Sequence, residues 1–144
     1  MSVKQISVFL ENRPGKLSEM TGLLTANGVD IRALSLAETK DFGIVRMITA
    51  NSLAAANALK DADFIVKFTP VLAYAVPDEP GGLNTLLAAF TKVGVNIEYM
   101  YAFLGGKDTE HAYMIFRVED PQKAESELAA EGLKALTQEE IESI

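Results

Sequence analysis

The sequence predicts an α+β fold in which a strand-helix-strand-strand-helix-strand unit occurs twice in tandem, each with an antiparallel sheet and its helices on one face. Three observations carry this: an ungapped self-alignment, a switch of hydrophobic period inside each half, and glycines where helices must stop. Residues 14–31, PGKLSEMTGLLTANGVDI, lie on residues 80–97, PGGLNTLLAAFTKVGVNI, at a constant offset of 66, and self-similarity at a fixed period marks a repeated structural unit. After an insertion read at Gly105-Gly106-Lys107 the offset becomes 69, so that Asn51, Ala55 and Leu59 meet Asp120, Ala124 and Leu128. The repeats are expected at 1–69 and 70–144.

Each element follows from local pattern. Residues 3–10 alternate, with Ile6, Val8 and Leu10 on one side and Gln5 and Ser7 on the other, the period-two signature of a half-buried strand. Over 15–27 the period changes, and Leu17, Met20, Leu23 and Leu24 form a helical stripe. Gly28 and Gly94 then stand where a helix end favours a left-handed residue. Strands are predicted at 30–38 and 43–50, joined around Lys40-Asp41-Phe42, with a second helix from Ser52. Asp120-Pro121 is a stronger helix start, because Asp caps orphan N–H groups and Pro presets the first turn. Residues 64–68 and 133–136 are expected to close the two sheets, with no flexible linker between the repeats. This element order is the ferredoxin-like βαββαβ arrangement, which by itself implies no function.

Composition narrows the function classes. The chain has 144 residues, 49% hydrophobic, with 13 basic and 20 acidic side chains for a net charge of −7, a balance that argues against nucleic acid or anionic membrane as partner. No apolar run reaches membrane-span length and the start lacks signal-peptide order, so a cytoplasmic location is expected. There is no cysteine, which removes disulfides and thiolate chemistry. The lone His111, read as preceding a strand at 112–118, has no companions for a metal set, so neither metal nor cofactor is expected. Tyr99, Tyr101 and Phe103 alternate along a strand and are expected to line one sheet face as core or dimer interface, and the tail 138–142 reads as a solvated acidic end.

The chemistry concentrates between first strand and first helix of each repeat: Glu11-Asn12-Arg13-Pro14-Gly15-Lys16-Leu17, and Asp78-Glu79-Pro80-Gly81-Gly82-Leu83. A Pro-Gly pair opening a helix leaves backbone N–H groups at the positive end of the helix dipole, a socket suited to a carboxylate. The same pair also serves as a plain sharp turn. At the far end of the helix, Asp30-Ile31 and Asn96-Ile97 place a short oxygen-bearing side chain at the start of the next strand; Asp30 and Asn96 either accept from an ammonium group or cap a turn.

These segments resemble the ACT domain family of amino-acid-binding regulatory modules. ENRPGKLSEMTGLLTANGVDI is similar to that family's N-(R/K)-P-G-x-L helix followed by G-(V/I)-(D/N)-I, and PDEPGGLNTLLAAFTKVGVNI matches its Pro-Gly-x-Leu and Gly-Val-Asn-Ile parts. The resemblance implies a βαββαβ fold, sheets joined side by side, a homodimer, and a free amino acid held between the first loop of one repeat and the adjoining repeat or protomer. Carried over residue by residue, it implies ligand-binding roles for Asn12, Arg13, Pro14, Gly15, Leu17, Asp30, Ile31, Asp78, Gly81, Gly82, Leu83, Asn96 and Ile97. The second repeat departs from the pattern with Asp78-Glu79 in place of Asn12-Arg13, a less cationic socket. No catalytic domain is apparent, so the expectation is a non-enzymatic regulator, alone or as a subunit contacting a separate biosynthetic enzyme. A remote enzymatic alternative, acyl-phosphate hydrolysis, rests on Arg13 alone and lacks the glycine-rich phosphate cradle.

Overall fold

The computed structural model describes residues 2–104 and 110–144; the insertion read at Gly105-Gly106-Lys107 lies outside them. The elements run β1 (Val3–Glu11), α1 (Lys16–Ala26), β2 (Ile31–Glu38), β3 (Phe42–Thr49), α2 (Ser52–Asp61), β4 (Ile65–Pro77), α3 (Gly82–Lys92), β5 (Tyr99–Ala102), β6 (His111–Arg117), α4 (Pro121–Ala130) and α5 (Gln138–Ser143). The chain divides into two compact units, Lys4–Thr69 and Pro70–Ile144, the latter joined by Met1–Val3. No helix of the described residues is long and apolar enough to cross a membrane.

In the first unit β1 and β2 both pair antiparallel with β3, with Val8 opposite Val45 and Leu36 opposite Val45 from the other side. In the second, β4 and β5 pair antiparallel with β6, with Val76 opposite Ala112 and Met100 opposite Phe116. The two registers superimpose under the sequence offsets: Leu10 opposite Gly43 corresponds to Val76 opposite Ala112, and Leu34 opposite Met47 to Met100 opposite Phe116. The duplication is therefore a duplication of pairing, strand for strand.

Alternation places Ile6, Val8 and Leu10 in a core with Met20 and Leu24 of α1, Met47 of β3 and Leu59 of α2. The second core repeats these positions as Leu72, Tyr74, Val76, Leu86, Phe90, Phe116 and Leu128. Three of the substitutions are aromatic, and the rings contact one another, Phe90 to Phe116 at 4.9 Å and Tyr74 edge-on to Phe90 at 6.1 Å. Such pairs contribute about 0.5–1.5 kcal/mol beyond their burial.

The structure corrects five readings. Gln5 and Ser7 are buried, not solvated; the Gln5 amide donates to Ser7 Oγ at 3.0 Å, and Ser7 Oγ meets Thr69 Oγ1 at 3.1 Å, which offsets the cost of enclosing polar atoms. The strand predicted at 64–68 continues as β4 to Pro77, through the residues read as a connection. Residues 133–136 form no strand, although Leu136 N–H donates to the Ala73 carbonyl at 2.8 Å; Gly132, with φ +85°, turns the chain out of α4 just before them. The acidic tail is helical, because Thr137 and Glu140 form a reciprocal capping box and Ile141 is fully buried. His111 opens β6 opposite Pro77 instead of preceding the strand. Met100 packs on the second core, so by alternation Tyr99, Tyr101 and Phe103 share the opposite sheet face, as the pattern predicted. Phe103 there stacks edge-on to Tyr113.

Two predictions follow from titratable groups in this frame. Among the described residues the buried Tyr74 hydroxyl finds no hydrogen-bond partner, and burial, reinforced by Glu125, pushes its pKa well above the ordinary phenol value. An unmet buried hydroxyl costs on the order of 1 kcal/mol or more, so Tyr74→Phe is expected to raise the thermal midpoint by several degrees. A raised folded pKa keeps its contribution below the unfolded value and loses it as pH rises, so the wild type should also weaken above about pH 10 more than Tyr74→Phe does, as denaturant titration will read. At the other end of the scale, the Thr137 backbone N–H holds the Glu140 carboxyl below its usual range. Its contribution is present above the unfolded pKa and lost as pH falls through the lowered folded one. The protection of the Ile141 amide, taken relative to its intrinsic exchange rate, should fall on acidification below about pH 4 in the wild type and less in Glu140→Gln, which keeps an acceptor without the charge.

Candidate functional site

The two loops between first strand and first helix are the same turn, hydrogen bond by hydrogen bond. Asn12 N–H donates to the Asp41 carbonyl at 3.0 Å and Asp78 N–H to that of Glu110 at 2.8 Å; Arg13 N–H reaches Glu11 and Glu79 N–H reaches Pro77, each at 2.9 Å. Gly15 and Gly81 then open the helices with φ +88° and +90°, a left-handed backbone that glycine alone adopts without strain. Thus the Pro-Gly pairs read from sequence are required by the chain direction at both positions.

What separates these two helix starts from the others is their lack of a cap. The α2, α4 and α5 N-termini are closed by Asn51, Asp120 and Thr137, each accepting a backbone N–H. Neither α1 nor α3 has a side-chain cap. Their first-turn N–H groups, Leu17 and Ser18 in one loop and Leu83 and Asn84 in the other, find no backbone acceptor among the described residues. Open donors at a positive dipole end are the chemistry of an anion site.

The side chains around the two loops differ. Arg13 Nε donates to Glu11 Oε2 at 2.8 Å, and both side chains are exposed, so the pair is screened by solvent and contributes little to stability. Lys16, a position not assigned a role from sequence, is mostly buried, ion-paired to Glu19 at 3.3 Å and 5.9 Å from the centre of the Phe64 ring. It lines a cavity of about 270 Å³ with Phe9, Leu10, Glu11, Glu19, Phe42 and the 62–65 turn. In loop two the corresponding residue is Gly82, where an added Cβ would stand 2.1 Å from the Pro77 carbonyl oxygen, so close approach of backbone excludes any side chain.

The structure does not bring the two candidate groups of one repeat together. Asp30 and Asn96 stand beyond the C-terminal ends of α1 and α3, and an 11-residue helix is about 16 Å long. An α-amino acid carries both charges on neighbouring carbons and cannot span that distance. Asp30 is exposed and ion-paired to Arg32 at 3.2 Å; Asn96 lines a separate cavity of about 250 Å³ together with Glu98, Glu119, Asp120 and Lys123. Leu17 and Ile31 pack on the first core, Leu83 and Ile97 on the second. Asn12, Arg13, Pro14 and Gly15, and likewise Asp78, Gly81 and Gly82, are brought together at the helix starts. Among the described residues no group of three or more His, Cys, Asp or Glu is placed to hold a metal ion.

A family model described as an ACT domain pair matches residues 1–144. Protein BT0572 from Bacteroides thetaiotaomicron is 34% identical, with all of this chain and 98% of that one covered and a TM-score of 0.91. The regulatory subunit of aspartate kinase from Thermus thermophilus, in its ligand-free form, shares the fold at 14% identity and a TM-score of 0.63, with 90% of this chain and 91% of that one covered. Its counterpart from Thermus flavus does so at 13% identity and 0.59, covering 90% and 92%. No curated protein matches in sequence. The family model spans both repeats, each opening its first helix on a left-handed glycine, and the chain belongs to the ACT domain pair family.

Proposed function

We propose that this protein is a non-catalytic sensor that binds a free α-amino acid at the N-terminus of α1 and transmits the binding to another chain. The observation that carries this reading is the contrast in capping: α2, α4 and α5 close their own N-termini with side chains, while α1 and α3 leave theirs open. Open donors on a rigid glycine turn fit the carboxylate of a small ligand, a contact worth on the order of 0.3–2 kcal/mol. The remaining affinity comes from groups around the loop, and in the first repeat these include Lys16. A ligand shifts an equilibrium only by its difference in affinity between two states, so the output is a change in how this chain associates.

A second reading, in which the chain is a subunit that regulates a separate biosynthetic enzyme by contact, is favoured by one observation. The aspartate kinase regulatory subunits from Thermus share the fold over nine-tenths of both chains. Sensor and subunit differ in whether a stoichiometric enzyme co-purifies. Acyl-phosphate hydrolysis is disfavoured, because it rests on Arg13 alone and the loop lacks a glycine-rich phosphate cradle.

A thermal-melt panel against the twenty amino acids tests the proposal. At about a hundredfold its dissociation constant a ligand adds roughly 2.7 kcal/mol, which raises the midpoint by several degrees. One amino acid or a related group is expected to do so, with the shift reduced in Gly15→Ala, whose left-handed backbone would be strained. A panel without any shift would leave the loops as turns and sink the reading.

A further inference from the structure

We propose that the cavity beside the first turn of α1 is the side-chain pocket of the amino-acid site, that it selects a large apolar side chain, and that the second repeat has no equivalent. This rests on the amino-acid-binding reading above and adds to it the class of ligand and the number of sites.

Exposed apolar surface points to the pocket. Among the described residues seven large hydrophobic side chains are exposed, and three of them, Phe9 at 40%, Phe42 at 54% and Ile65 at 68%, ring this one cavity. They come from β1, β3 and the start of β4, so three separate elements contribute an apolar group to one place. Phe64 lines the cavity from the helical side of the sheet, where it packs on the core, while Phe9, Phe42 and Ile65 stand one position out of the core alternation. Apolar side chains gathered among polar groups are a feature of binding sites more than of idle surface. The cavity volume of about 270 Å³ falls just below the range of about 300–1,000 Å³ typical for drug-sized ligands, a size suited to one small metabolite.

The rim carries both signs of charge. Lys16 supplies the cation, while Glu11, Glu19 and Asp63 supply carboxylates around the same opening. A simple fatty or keto acid would meet one favourable charge and several unfavourable ones. A zwitterion meets a partner for each of its groups, its carboxylate at Lys16 and its ammonium at the acidic rim. Lys16 meets Glu19 across 3.3 Å, and the Glu19 side is largely exposed, so solvent screens the pair in part and a ligand carboxylate can share the lysine.

The internal repeat provides the control. Under the shared register, Phe9, Phe42, Phe64 and Ile65 correspond to Ala75, His111, Leu133 and Lys134, while Lys16, Glu19 and Asp63 correspond to Gly82, Thr85 and Gly132. Both repeats keep the turn that the fold requires, with Asp63 at φ 66° where the second has Gly132 at 85°. Only the first keeps the exposed rings, the lysine and the carboxylates.

Isothermal titration of the full chain with leucine, phenylalanine, serine and aspartate, and with 4-methylpentanoate and leucinamide as analogues lacking one charge, tests this. Leucine or phenylalanine should bind with one molecule per chain, each analogue at least about tenfold more weakly, and Lys16→Gln and Phe42→Ser should each lose about tenfold or more. Both substituted side chains lie at the cavity rim, and unliganded melting curves will verify that the variants are folded. Preference for serine or aspartate, two equivalent sites, or unchanged affinity in both folded variants would overturn the pocket while leaving amino-acid sensing intact. No binding by any of the twenty amino acids would overturn both.

Discussion

Everything at the functional end of each repeat depends on one backbone constraint, the left-handed turn at Gly15 and Gly81. A strand that has just finished pairing must reverse onto the helical layer within four residues, and a φ near +90° does this in a single step that any Cβ would strain. The cost is a helix start with no oxygen-bearing side chain in capping position, because the residue that makes the turn has no side chain. An open helix N-terminus is therefore the by-product of the chain reversal.

On that shared frame the two repeats have diverged in opposite places. The first has an aliphatic core, with Val8, Leu24 and Met47 where the second stacks Tyr74, Phe90 and Phe116. Its aromatic residues stand instead near the surface, at Phe9, Phe42 and Phe64. The second repeat has its rings inside and small or polar residues at the matching rim. One copy has invested in packing and the other in surface chemistry, which is what duplication permits once either copy suffices to hold the fold.

Much of this was legible in the sequence. The repeat, the strand and helix order, the glycine turns and the Asp120-Pro121 start all rest on contacts within a few residues, where local pattern is decisive. The acidic tail was misread because its helix depends on a capping box and on Ile141 finding a buried place, and the second of these is tertiary. The pair Gln5 and Ser7 was misread because alternation reports only one face of a strand, and a partner such as Thr69, 62 positions from Ser7, leaves no local trace. At the candidate site the motif marks the loop, and of the positions it carries over, Leu17, Ile31, Leu83 and Ile97 pack on the cores. The cavity itself went unread, since Phe42 and Phe64 are distant in sequence from Lys16. A position-by-position comparison of the repeats holds the missing signal: the exposed Phe9 and Phe42 align with Ala75 and His111, where the same strand positions carry no phenyl ring.

The placement of the rings has a further consequence for how this protein can be watched. It contains no tryptophan, and all four tyrosines, at 74, 99, 101 and 113, belong to the second repeat. Ultraviolet emission therefore originates in one half of the molecule, while the first repeat, whose aromatic residues are all phenylalanine, is nearly dark. A small molecule seated in the dark half changes the light only if its arrival is felt in the other. The chain thus carries a built-in readout of coupling between its halves, in the sense of a free energy shared by two places, with no label to attach.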